Sequence, residues 1–162
     1  MVLITHNFTG IIQIYNMYQQ NPFSEYKIYK TNTLNDKNCF NINENVKILT
    51  IVPETNPEEL NFVNKVMKTL NLDSSNIQIV SINESDTFSL IEKISSNSKM
   101  FVLLMGIKPR QLGLNLDSEN YTISNLFNLT IAKASSPSMI MKSKDEKAQL
   151  WNLLKTTILN EG

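Results

Sequence analysis

The chain has 162 residues and 18.5 kDa, 41% hydrophobic and 19% charged, which is enough for one domain with a real core. Fifteen basic residues balance fifteen acidic ones and Arg110 is the sole arginine, which argues against bulk electrostatic binding of duplex nucleic acid and against bidentate arginine readout. The single cysteine, Cys39, excludes an intrachain disulfide and a Cys-based zinc site, and the single histidine, His6, near an end expected to be mobile, argues against a His-based metal centre and a Ser-His-Asp triad.

The first 45 residues differ in character from the rest, being rich in Asn, Tyr and Gln. They are expected to be an N-terminal segment, mobile or partner-binding, ahead of an α/β domain over 46–162. Ile11, Ile14, Tyr15 and Tyr18 have helical spacing, and Asn21-Pro22 stops the pattern. Ser24 to Thr31 alternates like a short edge strand, and residues 31–45 read as a loop.

Val46 to Val52 is a β-branched apolar run ended by Pro53, the pattern of a buried strand. Asn56-Pro57-Glu58-Glu59 opens a helix: Asn56 as cap, Pro57 at the first position, Glu59 three residues after the cap. Leu60, Val63, Met67 and Leu70 carry it for about four turns. Ile77 to Ile82 is a second strand. Ser85 or Asp86 can cap a helix through Phe88, Leu90, Ile91 and Ile94.

Met100 to Met105, apolar on both faces and ended by Gly106, suits a central strand covered on both sides. Lys108 to Leu112 reads as a short helix closed by Gly113, and Leu129 to Ala134 as a further strand. A last helix begins near Lys144-Asp145 and carries Ala148, Leu150, Trp151, Leu154 and Ile158, with Trp151 read as core. This alternation predicts a three-layer α/β/α sandwich around a four- or five-stranded, mostly parallel sheet.

Ligands of such sheets usually bind beyond the carboxyl ends of the strands. The residues expected at that edge are Pro53, Glu54, Gly106, Lys108, Arg110, Ser136, Pro137, Ser138 and Lys142. Glu54 fits either a base over the edge or a solvated carboxylate favoured before a helix N-terminus. Lys108 and Arg110 fit either one phosphate or acidic partner, or a solvated strand exit. Asp145 and Glu146 suit the dipole of the last helix. Ser136 would need a nearby base to act as a nucleophile. With four glycines, neither G-x-G-x-x-G nor G-x-x-x-x-G-K-[ST] occurs, so a nucleotide-dependent reaction is not expected. No cofactor or metal is expected. The absence of an 18-residue apolar run and of a basic-then-apolar leader predicts a cytoplasmic protein without membrane association.

Two segments together resemble the uracil-DNA glycosylase superfamily. Met100 to Gly106 is similar to the apolar strand ending in Gly that precedes a short helix there. Ser136-Pro137-Ser138-Met139-Ile140-Met141-Lys142, followed by the helix bearing Leu150 and Trp151, resembles the late motif of His-Pro-Ser, apolar residues, a basic residue and a Trp-bearing helix. The resemblance spans roughly residues 46–160. Glycosylases of that superfamily carry a Gly-rich loop after the first strand and a histidine before the late proline. Here the loop is Pro53-Glu54-Thr55-Asn56-Pro57 and the histidine position holds Ser136.

Those departures look like the psi subunit family of bacterial DNA polymerase III, a non-catalytic branch with Ser-Pro at that place and a strand leading directly into a helix. The resemblance implies an adaptor of the replication machinery with clamp-loader subunits as partners. It also implies a docking peptide within residues 1–30, with Ile11, Ile14, Tyr15 and Tyr18 as partner-binding residues and weak or no direct binding of nucleic acid. The alternative within the superfamily is a divergent DNA repair glycosylase, with Glu54 positioning water and Ser136 or Ser138 contacting the base. A third reading is an unrelated small-molecule-binding α/β domain, which would need a deep pocket at the Pro53/Gly106/Ser136 edge.

Overall fold

The computed structural model describes residues 40–94 and 99–159. His6, Cys39, the helical spacing over Ile11 to Tyr18 and the strand expected over Ser24 to Thr31 lie outside the described residues.

Five strands among the described residues form one sheet: β1 (Ile48–Pro53), β2 (Ile77–Ile82), β3 (Met100–Met105), β4 (Ile123–Leu126) and β5 (Leu129–Ala134). The order is β2-β1-β3-β5-β4. The pairs β1–β2, β1–β3 and β3–β5 are parallel, and β4 runs antiparallel to β5 at the edge. Among the described residues the helices are α1 (Pro57–Lys68), the single turn α2 (Leu90–Lys93), α3 (Pro137–Lys142) and α4 (Lys144–Leu154), which widens into a π-helical turn over Lys155–Leu159. The fold is the expected α/β class, a five-stranded, mostly parallel sheet flanked by helices in three layers.

Period-two alternation sends each strand's side chains to opposite layers. Ile48 and Val52 of β1, with Phe101, Leu103 and Met105 of β3, meet Val63 and Met67 of α1, Ile140 of α3 and Leu150, Leu153 and Leu154 of α4. Leu49 and Ile51, with Val102 and Leu104, meet Leu90, Leu112 and Leu114 on the other face. Phe40 and Ile42 also pack against that second layer, and the Phe40 ring meets Phe88 edge to face at 5.2 Å. All six residues of β3 are buried, as its two apolar faces require.

The expected start of α1 is present. Asn56 Oδ1 accepts from the Glu59 amide at 2.9 Å, and Asn56 Nδ2 donates to Glu59 Oε1 at 3.2 Å. Gly113 takes φ +67 and closes the 3₁₀ turn Pro109–Leu112 as anticipated.

Four expectations need correction. The helix expected after Ser85 or Asp86 is only α2, and its cap is Ser89, whose Oγ accepts from the Glu92 amide at 3.4 Å. Asp86 instead closes a local turn by accepting from the Asn83 amide at 2.9 Å, which holds the chain out of helix until Ser89. Between β5 and the helix expected from Lys144 lies a further helix, α3, started by Pro137 at its first position and anchored by buried Ile140. β4 was not anticipated, because Ile123-Ser124-Asn125-Leu126 is short, polar and half exposed, and only its partner β5 makes it a strand. Trp151 is not core: it is 42% exposed, while Leu150, Leu153 and Leu154 form the buried stripe of α4. No helix among the described residues is long and apolar enough to cross a membrane.

Candidate functional site

β1 lies between β2 and β3, so the chain reverses its direction of progress across the sheet at β1. The carboxyl ends of the strands near such a reversal are the usual ligand edge of an open α/β sheet. Two short connections build that edge here. One leaves β3 through Gly106 to the Pro109–Leu112 turn, and the other leaves β5 through Ser135 and Ser136 into α3.

Gly106 has φ +74, and its amide donates to the Ala134 carbonyl at 2.9 Å. A Cβ at this position would lie 2.9 Å from Ser136 Cβ and 3.0 Å from Ser136 Cα, so only glycine lets the two strand exits touch. Ser136 caps α3 through its main chain, its carbonyl accepting from the Met139 and Ile140 amides at 3.0 and 3.1 Å. Its side chain makes no cap bond; Ser136 Oγ lies 3.0 Å from Ser138 Oγ. Gln111 ties the β3 exit down: its Oε1 accepts from the Lys108 amide at 3.2 Å, and its Nε2 donates to the Glu84 carbonyl at 2.8 Å.

These connections border an open depression of about 380 Å³ lined by Gly106, Lys108, Asn120, Lys133, Ser136 and Met139, among others. Asn120 Nδ2 donates to Ser135 Oγ at 3.2 Å, and Lys133 Nζ donates to the Ser118 carbonyl. Beside it, Tyr121 takes φ +63, and its hydroxyl donates to Glu146 Oε2. Burial raises the Tyr121 hydroxyl above its ordinary pKa, and the bond to Glu146 adds to this. The hydrogen bonds from Tyr121 and Ser135 lower the Glu146 carboxyl. Glu146 also opens α4, where its amide donates to Ser143 Oγ at 3.3 Å, in keeping with the structural role expected of it.

Of the residues expected at the edge, Gly106, Lys108 and Ser136 share the depression. Pro137 is buried and Ser138 half-buried within α3. Pro53 pairs with Ile82 at the end of β1. Glu54 is exposed, its amide donating to the Ile82 carbonyl at 2.9 Å, and does not line the depression. Arg110 and Lys142 are exposed on the 3₁₀ turn and on the last turn of α3, also outside the lining. Thr55 Oγ1, between β1 and α1, is buried without a hydrogen-bond partner. The expected partner residues Ile11, Ile14, Tyr15 and Tyr18 lie outside the described residues. Asn120, Tyr121 and Lys133 went unforeseen, because folding alone brings residues 118–121 against the end of β5.

The chemistry available at this edge is modest. The hydrogen-bond partner of Ser136 Oγ is another hydroxyl, which is too weak a base to make it a nucleophile. Among the described residues no cluster of His, Cys, Asp or Glu could hold a metal ion.

A second concave surface lies between α1 and α4. Phe62, Val66, Leu150 and Trp151 line a groove of about 360 Å³ whose walls are almost wholly apolar, bordered by Lys65, Thr69 and Lys147. Neither models of known protein families nor curated proteins give a match to the chain.

Proposed function

We propose that the protein is a non-catalytic adaptor that joins other proteins, of the kind implied by its resemblance to the psi subunit family of the replication machinery. The observation that carries this reading is the contact between Gly106 and Ser136. The edge at which a glycosylase of similar pattern would seat an extruded base is packed backbone to side chain, with Ser136 Cα 3.0 Å from the place of a Gly106 Cβ.

Other features support the same reading. The connection from β1 to α1 is only Glu54-Thr55-Asn56, and Glu54 stands outside the depression. What remains at the edge is an open depression, not an enclosed cavity of the kind that buries most of a small ligand. The polypeptide also keeps Trp151 half exposed on a helix, in an apolar setting suited to protein contact.

Capture from extracts of the source cell tests the reading, using the full chain and a chain lacking residues 1–30. The full chain should retain clamp-loader subunits, and the shortened chain should lose them. Recovery of no replication protein with either chain refutes the adaptor. Release of uracil from single-stranded DNA by the full chain, abolished by Glu54→Ala, refutes the non-catalytic part.

A further inference from the structure

We propose that the groove between α1 and α4 is a docking site for an acidic amphipathic helix of a partner protein. The proposal deepens the adaptor reading and rests on it, since it supplies the partner chemistry that the reading leaves open.

The apolar part of the argument begins with the two stripes of each helix. Val63 and Met67 of α1, and Leu150, Leu153 and Leu154 of α4, are turned into the core. Phe62 and Val66 of α1 pack only partly against that layer, and Trp151 of α4 is 42% exposed. Phe62, Val66 and Trp151 are therefore the apolar surplus beyond what the sheet needs, and they share one groove with Leu150 as part of its lining. Large aromatic side chains in an apolar depression are the usual energetic centre of protein interfaces.

The charged part selects the partner. Lys65 and Lys147 line the groove. At 100° per residue, Lys144, Lys147, Trp151 and Lys155 fall within an arc of about 80° on α4. Three ammonium groups thus run along the helix beside the tryptophan, with no carboxylate in that arc. The carboxylates of α4 lie elsewhere: Asp145 is about 120° from Trp151 around the helix, and Glu146 accepts from Tyr121. On α1, Glu58 lies one turn before Phe62, at the far end of the helix from Lys65 and Thr69. The chain as a whole has zero net charge, so this lysine border is a local asymmetry. A helix carrying apolar residues at i, i+3/i+4 and i+7, with Asp and Glu beside them, matches both the groove and its border.

The test selects 16-residue peptides from a random display library on the full-length protein. Trp151 is the only tryptophan, so its emission reports occupancy of the groove directly. Selected peptides should combine helical apolar spacing with an excess of Asp and Glu, shift Trp151 emission and weaken with added salt. Trp151→Ala, read by anisotropy of the labelled peptide, should weaken binding about tenfold or more. Lys65→Glu with Lys147→Glu should abolish binding of the acidic peptide and favour a charge-reversed one. These side chains are on the surface, and unchanged thermal unfolding confirms that each variant is folded.

Selection of peptides without acidic bias overturns the proposal. So do peptides indifferent to the lysine reversals, failure to select any peptide that moves Trp151 emission, and a dimer of the chain abolished by Trp151→Ala. The two readings fail separately. Clamp-loader capture that depends on residues 1–30, with no selected peptide that moves Trp151 emission, removes the groove and keeps the adaptor. Acidic-peptide binding without capture of any replication protein keeps the groove chemistry and removes the replication adaptor.

Discussion

Gly106→Ala probes the contact on which the reading of the strand edge depends. Two costs add at this position. The left-handed backbone at φ +74 costs an alanine about 1–2 kcal/mol. The new methyl group would sit 2.9 Å from Ser136 Cβ and 3.0 Å from Ser136 Cα, and crowding of that kind costs about 1–3 kcal/mol. Lower entropy of the unfolded alanine chain offsets about 0.4–1 kcal/mol, so the net loss is about 1–4.5 kcal/mol, with a midpoint of about 3. Gly113→Ala is the internal control. It shares the left-handed backbone, at φ +67, but its nearest neighbours would be 3.5 Å away, an ordinary contact. Its loss should be about 1 kcal/mol. Urea unfolding of the full chain, with the slope of free energy against denaturant unchanged, measures both. Adding Ser136→Gly to Gly106→Ala removes the 2.9 Å contact but leaves the 3.0 Å contact to Cα, so it should recover part of the loss. Equal losses for the two glycine variants, or no recovery in the double variant, would refute the claim that the strand exits are packed against each other.

Three further outcomes follow from the same structure. Glu146 is held below its ordinary carboxyl value of 4.5, so its stabilising effect is present above that value and is lost as pH falls through the lower folded-state value. Tyr121 is held above 10.0, so its effect is present below that value and is lost as pH rises through the higher folded-state value. Tyr121→Phe should therefore cost about 1 kcal/mol near neutrality and flatten the acid limb of urea stability measured from pH 2 to 7, and an unchanged limb would contradict the pairing. Asn56→Ala removes the cap of α1 and should lower stability by about 1 kcal/mol in thermal unfolding, whereas Asn56→Ser should keep most of it. Thr55→Val replaces a buried hydroxyl that has no partner and should raise the unfolding free energy measured in urea by about 1 kcal/mol or more; a lowered value would mean that Thr55 Oγ1 has a partner in solution.

Much of the fold is legible in the sequence where the signal is local. The buried strands Ile48–Pro53 and Met100–Met105 announce themselves as apolar runs, because a central strand meets a hydrophobic layer on each face. The start of α1 is written in Asn56-Pro57-Glu58-Glu59, since a cap satisfies its amides with side chains three residues away. The edge strand Ile123–Leu126 carries no comparable signal and takes its form from β5, while the short helix Pro137–Lys142 carries only Ser136-Pro137 at its start and is held by buried Ile140. The edge residues divide the same way. Gly106, Lys108 and Ser136 could be named from their places after strands, whereas Asn120 and Lys133 join them only because residues 118–121 fold back onto β5.

One cysteine leaves no room for an intrachain disulfide or a Cys-based zinc site. Residue content limits chemistry whatever the fold. Tertiary structure decided which surfaces are open. Helical spacing makes Trp151 a neighbour of Leu154 on α4, but spacing carries no record of how wide a stripe the sheet will cover. The sheet covers Leu150, Leu153 and Leu154 and stops short of Trp151. A residue that reads as core in the sequence is therefore surface in the protein, because burial depends on the partner face and not on the periodicity of the helix alone.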